Sequence, residues 1–206
     1  MLDLTQTPIT LTLLIVNVVA SLYVLYRKPQ LLGHLAFRPE RILRHGEIHR
    51  LITAGFVHVD GTHLLVNMLT LYFFGPWLEV ALGPLGYLIL YFGSELAAHG
   101  LSLAIQRGNA RYSAVGASGA ITGVLFAFCL YAPFQMLYLF FAIPIPAILF
   151  AVGFVAISMI AMKNRRANQV GGLAHEAHLG GALGGVVLTI LLDPAALPGF
   201  LNQIGL

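Results

Sequence analysis

Apolar residues run in long stretches along this chain, and polar residues collect between them. Bounding each stretch by charge, glycine or proline predicts six helical spans, over residues 8–26, 63–82, 85–105, 114–132, 146–162 and 174–192. Each is close to the roughly 20 residues that a helix needs to cross a bilayer core of about 30 Å. Inside these windows the only charged residues are Glu79, Glu95 and Glu176; every Lys and Arg lies between them. A lipid solvent imposes that segregation, because a charge in hydrocarbon is costly. The expected fold is all-α, a polytopic six-transmembrane-helix bundle forming one membrane domain over residues 1–206. The first window follows Met1–Thr7, which carries Asp3 and no Lys or Arg, and it ends at Arg27-Lys28. A retained first helix is expected there rather than a cleaved leader.

The connections are uneven. Residues 27–62 form a long first loop, whereas the second and third spans are separated by Gly83-Pro84 alone. A long loop beside compact turns points to function. The stretch Ala142-Ile143-Pro144-Ile145-Pro146 cannot run as continuous helix, since each proline lacks a donor and disfavours helical geometry in the residue before it. The fifth span therefore starts near Pro146, and 133–145 is expected at the membrane interface.

Composition narrows the function classes. Of 206 residues 58% are hydrophobic and 9% charged, against about 25% charge in soluble domains, which excludes a water-soluble globular fold. The net charge of +3 is too small a basic excess on so apolar a chain to suggest nucleic acid, and phospholipid headgroups are the expected counterions. One cysteine, Cys129, excludes an intramolecular disulfide and a Cys-based zinc cluster and reads as packing.

Polar side chains inside the spans are the candidates for chemistry. His63, Asn67, Ser118 and His178 all fall near the starts of the second, fourth and sixth windows, which begin on one face of the membrane because helices alternate direction. At 1.5 Å per residue they share one layer within about 8 Å. Gly119 and Gly123 in the fourth window, and Gly180, Gly181, Gly184 and Gly185 in the sixth, have the four-residue spacing that lets helix backbones approach closely. Close approach would let Ser118 hydrogen-bond to His178, pairing a hydroxyl nucleophile with a base for acyl transfer. His63 and Asn67, one turn apart, could then supply side-chain donors for an oxyanion beside the Ser118 N–H. Taken singly, the serine and the glycines fit helix packing and the His/Asn pair an interhelical strut; the four at matched depth favour catalysis.

These residues resemble the rhomboid intramembrane serine proteases over residues 46–190. Gly116-Ala117-Ser118-Gly119 looks like the family's nucleophile motif, and His178-Leu179-Gly180-Gly181 with Gly185 looks like its His-x-x-Gly-x-x-x-Gly helix. His63 to Asn67 is similar to its His-x-x-x-Asn helix, with His58 five residues earlier at a position where the family often has histidine. The resemblance implies a rhomboid-like bundle with a Ser118–His178 dyad and no third acid. It also implies no metal or cofactor, and substrates that are transmembrane segments of other proteins, cut near their entry into the bilayer. The oxyanion would be held by the Ala117 and Ser118 N–H groups with His63 and Asn67. Gly75-x-x-x-Glu79-x-x-x-Gly83 resembles the pattern closing the family's second helix, whose glutamate pairs with a first-loop arginine, here Arg50. Thr122 stands where the family places Tyr or Phe against the imidazole; its hydroxyl, or an ordered water, is expected to orient His178 instead.

Other readings compete. His175-Glu176-Ala177-His178 is one residue short of the zinc-peptidase His-Glu-x-x-His, yet with His45, His49, His58 and His63 it leaves a His-lined metal-binding or transport protein as the alternative, beside an inactive relative that binds transmembrane clients. Glu95 and His99, four apart, read as a strut within the bundle. All 11 Lys and Arg lie in loops on the face that carries the site. Their count would put that face in the cytoplasm, whereas the resemblance implies the extracytoplasmic side of a bacterial inner membrane, and the expectation follows the resemblance. Substrate entry is expected to move the fifth helix or the 163–173 loop, with Gly171-Gly172 as hinge. No oligomeric state is indicated.

Overall fold

A computed structural model describes residues 4–139, 142–164 and 174–206 of the chain. They are mostly helical. Helix α1 is Pro8–Tyr26, short helices α2 (Leu31–Leu35), α3 (Pro39–His45) and α4 (Arg50–Thr53) fill the first loop, and α5 runs over Gly61–Gln106. There follow α6 (Ser118–Tyr131), α7 (Ala147–Asn164), α8 (His175–Leu192) and α9 (Ala196–Gln203). Three of these, α1, α5 and α8, are long and apolar enough to cross a membrane, and α6 and α7 are shorter apolar helices.

α5 is two helices in one. At Gly83 the backbone swings to φ 70°, ψ 165°, a left-handed excursion open to glycine, and Pro84 restarts the helix with its missing N–H at a position that has no acceptor. The predicted break between the second and third spans is therefore a sharp kink. The fourth helix starts later than its window: residues 114–117 are held by the loop instead, with Phe37 and Ala114 exchanging backbone hydrogen bonds (2.9 and 3.1 Å) and Gly116 N–H donating to Ala54 O at 2.9 Å.

The all-α expectation needs one correction. Met136–Leu139 (β1) and Ile143–Pro146 (β2) pair as an antiparallel hairpin, Met136 opposite Pro146 and Leu139 opposite Ile143, linking α6 to α7. Pro144 and Pro146 block helix here but are tolerated in a two-stranded hairpin, where one side of β2 is an open edge.

On α1 the polar side chains face inward and the large apolar ones outward. The buried stripe of α1 is Thr10, Leu13, Asn17, Ser21 and Val24, whereas Ile15, Val16, Val19, Leu22 and Tyr23 face outward. Lipid solvates the apolar face, and the polar side chains find partners inside: the Asn17 amide donates to Leu13 O at 2.8 Å and Ser21 Oγ to Phe56 O at 3.2 Å. The main core joins α1, α5 and α6 through Leu13, Leu71, Leu78, Tyr87, Leu90 and Val124; Phe37, Ile42, Ala54 and Tyr112 form a smaller core that seats the loop.

Two buried carboxylates close helix ends. The first N–H groups of a helix have no intrahelical acceptor, and Thr7 and Ala117, which precede α1 and α6, offer no side-chain cap. Glu79 of α5 fills the gap for α1, accepting from Ile9 N (2.9 Å), Thr10 N (2.7 Å) and Thr10 Oγ1 (2.7 Å). Glu95 does so for α6, accepting from Ala120 N at 2.9 Å.

The expected Arg50–Glu79 pair is thus corrected. Arg50, buried in the loop, donates through Nε to Glu47 at 2.6 Å and through Nη1 to Gly33 O and Ala36 O at 3.0 and 2.7 Å. Glu79 is already satisfied by backbone donors of α1, so each charge finds main-chain partners nearer than the other. Arg41 and Arg50 together hold the Glu47 carboxyl down to about 2.

Candidate active site

α8 reaches the rest of the bundle through glycine on two faces. A Cβ at Gly180 would sit 2.7 Å from Ala97 O of α5, and one at Gly181 or Gly185 would run into the carbonyl oxygens of Gly119 and Gly123 of α6. Only hydrogen at these positions permits that spacing. The consequence lies one turn away: His178 Nε2 is 3.0 Å from Ser118 Oγ. Ser118 opens α6, where its own N–H has no intrahelical acceptor.

The approach to Ser118 is built by Gly116. Its φ of +113° disfavours any side chain, and a Cβ there would stand 2.7 Å from Nε2 of His63. The His63 ring thus lies against the backbone two residues before Ser118. One turn along α5, Asn67 is buried with its Nδ2 unpaired. An unpaired buried amide donor in a membrane helix is costly, so its position next to this site is informative.

The Ala117 N–H does not stand free for an oxyanion as expected. It donates to His58 Nε2 at 3.4 Å. The His58 tautomer follows from its neighbours: Ser21 Oγ donates to Phe56 O, so His58 Nδ1–H donates to Ser21 Oγ at 2.8 Å and Nε2 is left as acceptor. Burial, reinforced by His63, pushes the His58 imidazole down to about 3, which keeps this network neutral.

The Thr122 hydroxyl is engaged with backbone rather than with the His178 ring. It donates to Ser118 O at 2.6 Å, the ordinary back-bond of a helical threonine. Two rings lie beside the imidazole: Phe154 of α7, at a centroid distance of 5.8 Å and tilted 44°, and His175 of α8, edge-on at 6.2 Å. Nothing in the apolar run of α7 marks Phe154 in advance. Gly119 has its Cα against Ala98 and Glu95, within α6's contact with α5. Glu176, buried in the first turn of α8, accepts from Gln106 Nε2 at 2.8 Å.

Among the described residues no group of three or more His, Cys, Asp and Glu side chains could hold a metal ion; the histidines meet in pairs, His58 with His63 at a ring-centroid distance of 4.9 Å and His175 with His178 at 6.2 Å. The hinge expected at Gly171-Gly172 lies outside the described residues, as do Arg165 and Arg166.

The fold and this site define a polytopic helical membrane protein with polar side chains gathered at one end of its bundle. The family model of the Rhomboid domain matches residues 45–194, and the chain belongs to the rhomboid family. It is 32% identical over 152 residues to RHOMBOID-like protein 12, mitochondrial, of Arabidopsis thaliana, covering 66% of this chain and 44% of that protein. Rhomboid protein 1, mitochondrial, of Saccharomyces cerevisiae is 33% identical over 141 residues, covering 66% and 40%. The putative rhomboid protease YdcA of Bacillus subtilis is 39% identical over 79 residues, covering 38% and 39%. The matches span less than half the length of these curated relatives.

Proposed function

We propose that this chain is an intramembrane serine endopeptidase that cuts transmembrane segments of other membrane proteins. The observation that carries the reading is the 3.0 Å separation of His178 Nε2 and Ser118 Oγ, at the end of two helices held together by glycine. A hydroxyl is a weak nucleophile until a base within hydrogen-bond reach takes its proton.

In this reading six helical segments cross the membrane, α5 counting as two. With its proton on Nδ1, His178 accepts the Ser118 hydroxyl proton at Nε2 as Oγ bonds to the scissile carbonyl carbon. The oxyanion is met by Ser118 N–H, the His63 ring and the unpaired Asn67 Nδ2. Collapse breaks the C–N bond, and His178 passes its proton to the leaving amine. A water then gives its proton to His178 as its oxygen bonds to the acyl carbon, the C–Oγ bond breaks to release the acid product, and the proton on His178 returns to Ser118 Oγ. Phe154 ties the base to α7, the helix whose movement would admit a substrate from the lipid. The Ser118 end of the bundle faces the extracytoplasmic side of the membrane. In a Cys129→Ala background, Lys28→Cys would then react with an impermeant thiol reagent in intact cells and Leu206→Cys would not.

A fluorophosphonate, which reacts with activated serine hydroxyls, tests the chemistry. The parent should be labelled at Ser118 whether or not a chelator is present, and Ser118→Ala and His178→Ala should stay unlabelled. Equal labelling of Ser118→Ala would overturn the reading.

A further inference from the structure

Glu95 lies in the second half of α5, is 2% exposed, and touches no substrate-facing atom of the site described above. Its Oε2 accepts from Ala120 N at 2.9 Å, two residues after Ser118, and would stand 2.9 Å from a Cβ on Gly119. Its Oε1 packs against the loop without a hydrogen-bond partner: a Cβ on Gly55 would meet it at 2.5 Å, and His99 Nδ1 is 3.6 Å away. His99 is itself tied to the loop, with Nδ1–H donating to Leu51 O at 2.8 Å and its ring stacked on Phe37 at 4.4 Å and 3°. Phe37 in turn exchanges backbone hydrogen bonds with Ala114, on the segment leading into Ser118.

We propose that Glu95 is a positioning residue for Ser118: its carboxyl fixes the first turn of α6, and so aims the Ser118 hydroxyl and N–H, while bracing that turn against the first loop. The inference rests on the serine-peptidase reading and deepens it. α6 has no side-chain cap of its own, so without Glu95 the Ala120 N–H is orphaned where water does not reach. The turn then recovers a partner only by shifting, and Ser118 shifts with it. Because a nucleophile and its oxyanion donors must be held to a fraction of an ångström, the loss falls on reaction rate rather than on substrate binding.

The test compares the full-length parent, Glu95→Met, which has no strong acceptor, and Glu95→Gln, whose amide oxygen keeps one. Two quantities are read on detergent-solubilised protein: amide hydrogen exchange over residues 118–121, and the rate of fluorophosphonate labelling, with kcat and KM for a single-span reporter alongside. Glu95→Met should exchange faster over that segment and label at least about tenfold more slowly at unchanged KM, and Glu95→Gln should bring both within about threefold of the parent. Labelling of Glu95→Met at the parent rate, or Glu95→Gln no better than Glu95→Met, would overturn the proposal. If Glu95→Met does not accumulate, Glu95→Asp, which withdraws the oxygen by one methylene, is read by the same two outcomes. A parent that takes no label at all sinks the serine-peptidase reading and this proposal with it. A labelled parent with an equally labelled Glu95→Met sinks this proposal alone.

Discussion

Gly181 of α8 packs so closely on Gly119 of α6 that a methyl group at position 181 would run into the Gly119 carbonyl oxygen. This contact fixes the distance between the two helices. His178 lies three residues before Gly181 and Ser118 one residue before Gly119, so the spacing at the glycines sets the spacing at the side chains.

Gly181→Ala and Gly185→Ala should therefore push α8 away from α6. The obstructing atoms are backbone, which cannot rotate aside, and overpacking of this kind typically costs about 1–3 kcal/mol. Thermal unfolding in detergent should show a lower midpoint for each, and fluorophosphonate labelling of the folded fraction should fall as well. Gly100→Ala, where a Cβ meets nothing within 4 Å, is the control: it should leave labelling unchanged and the midpoint unchanged or slightly raised, since alanine favours helix over glycine.

Arg50 and Glu79 should behave as independent sites. Each is buried with its own partners, and truncating a buried hydrogen-bonded charge is expected to cost several kcal/mol, about 3–5 when a partner is left unpaired. A double-mutant cycle on Arg50→Met and Glu79→Gln, read by denaturation, should give a coupling energy near zero, within about 0.5 kcal/mol. A coupling of 2 kcal/mol or more, at about the upper range for direct partners, would restore the pairing that the structure does not contain.

That pair shows where sequence reading stops. Both charges stand out in a membrane chain, but most of their partners are main-chain N–H and C=O groups, which no motif announces. The same limit hid the hydrogen bond from Ala120 N–H to Glu95. By contrast Pro8–Tyr26 coincides with its predicted window, because lipid selects apolar length directly. The meeting of Ser118 with His178 was legible through glycine spacing. The late start of α6 was not, since 114–117 is held by non-local bonds to Phe37 and Ala54. Pro144 and Pro146 correctly excluded helix without revealing that β1 and β2 pair.

The ring contact on His178 yields a comparison. If Phe154 steadies the imidazole, Phe154→Ala should lower kcat for a single-span reporter by about tenfold or more, the scale on which misorientation acts, and Phe154→Tyr should restore most of it. Thr122→Val removes only a back-bond to Ser118 O and should stay within about threefold of the parent. A reversed order would mean that the threonine, not the phenylalanine, orients the base.

His58 carries a pH signature. Its folded value of about 3 lies below the ordinary 6.5, so the unfolded chain takes up this proton first. Stability is lost as pH falls from about 6.5 toward 3. Glu47, held near 2 against an ordinary 4.5, adds its loss only below about 4.5. Between pH 6.5 and 4.5 the fall in unfolding midpoint should therefore be shallower in His58→Gln than in the parent, whatever their absolute stabilities. Parallel slopes would show that the ring is not held neutral.

Cleavage in a bilayer tests the central claim most directly. Parent and Ser118→Ala chains are reconstituted with a single-span reporter in lipid vesicles, and the products are followed by mass. The parent should cut the reporter at one position near its entry into the membrane, and Ser118→Ala should leave it intact. Cutting by both chains alike, or by neither while the reporter is demonstrably inserted, would contradict the account.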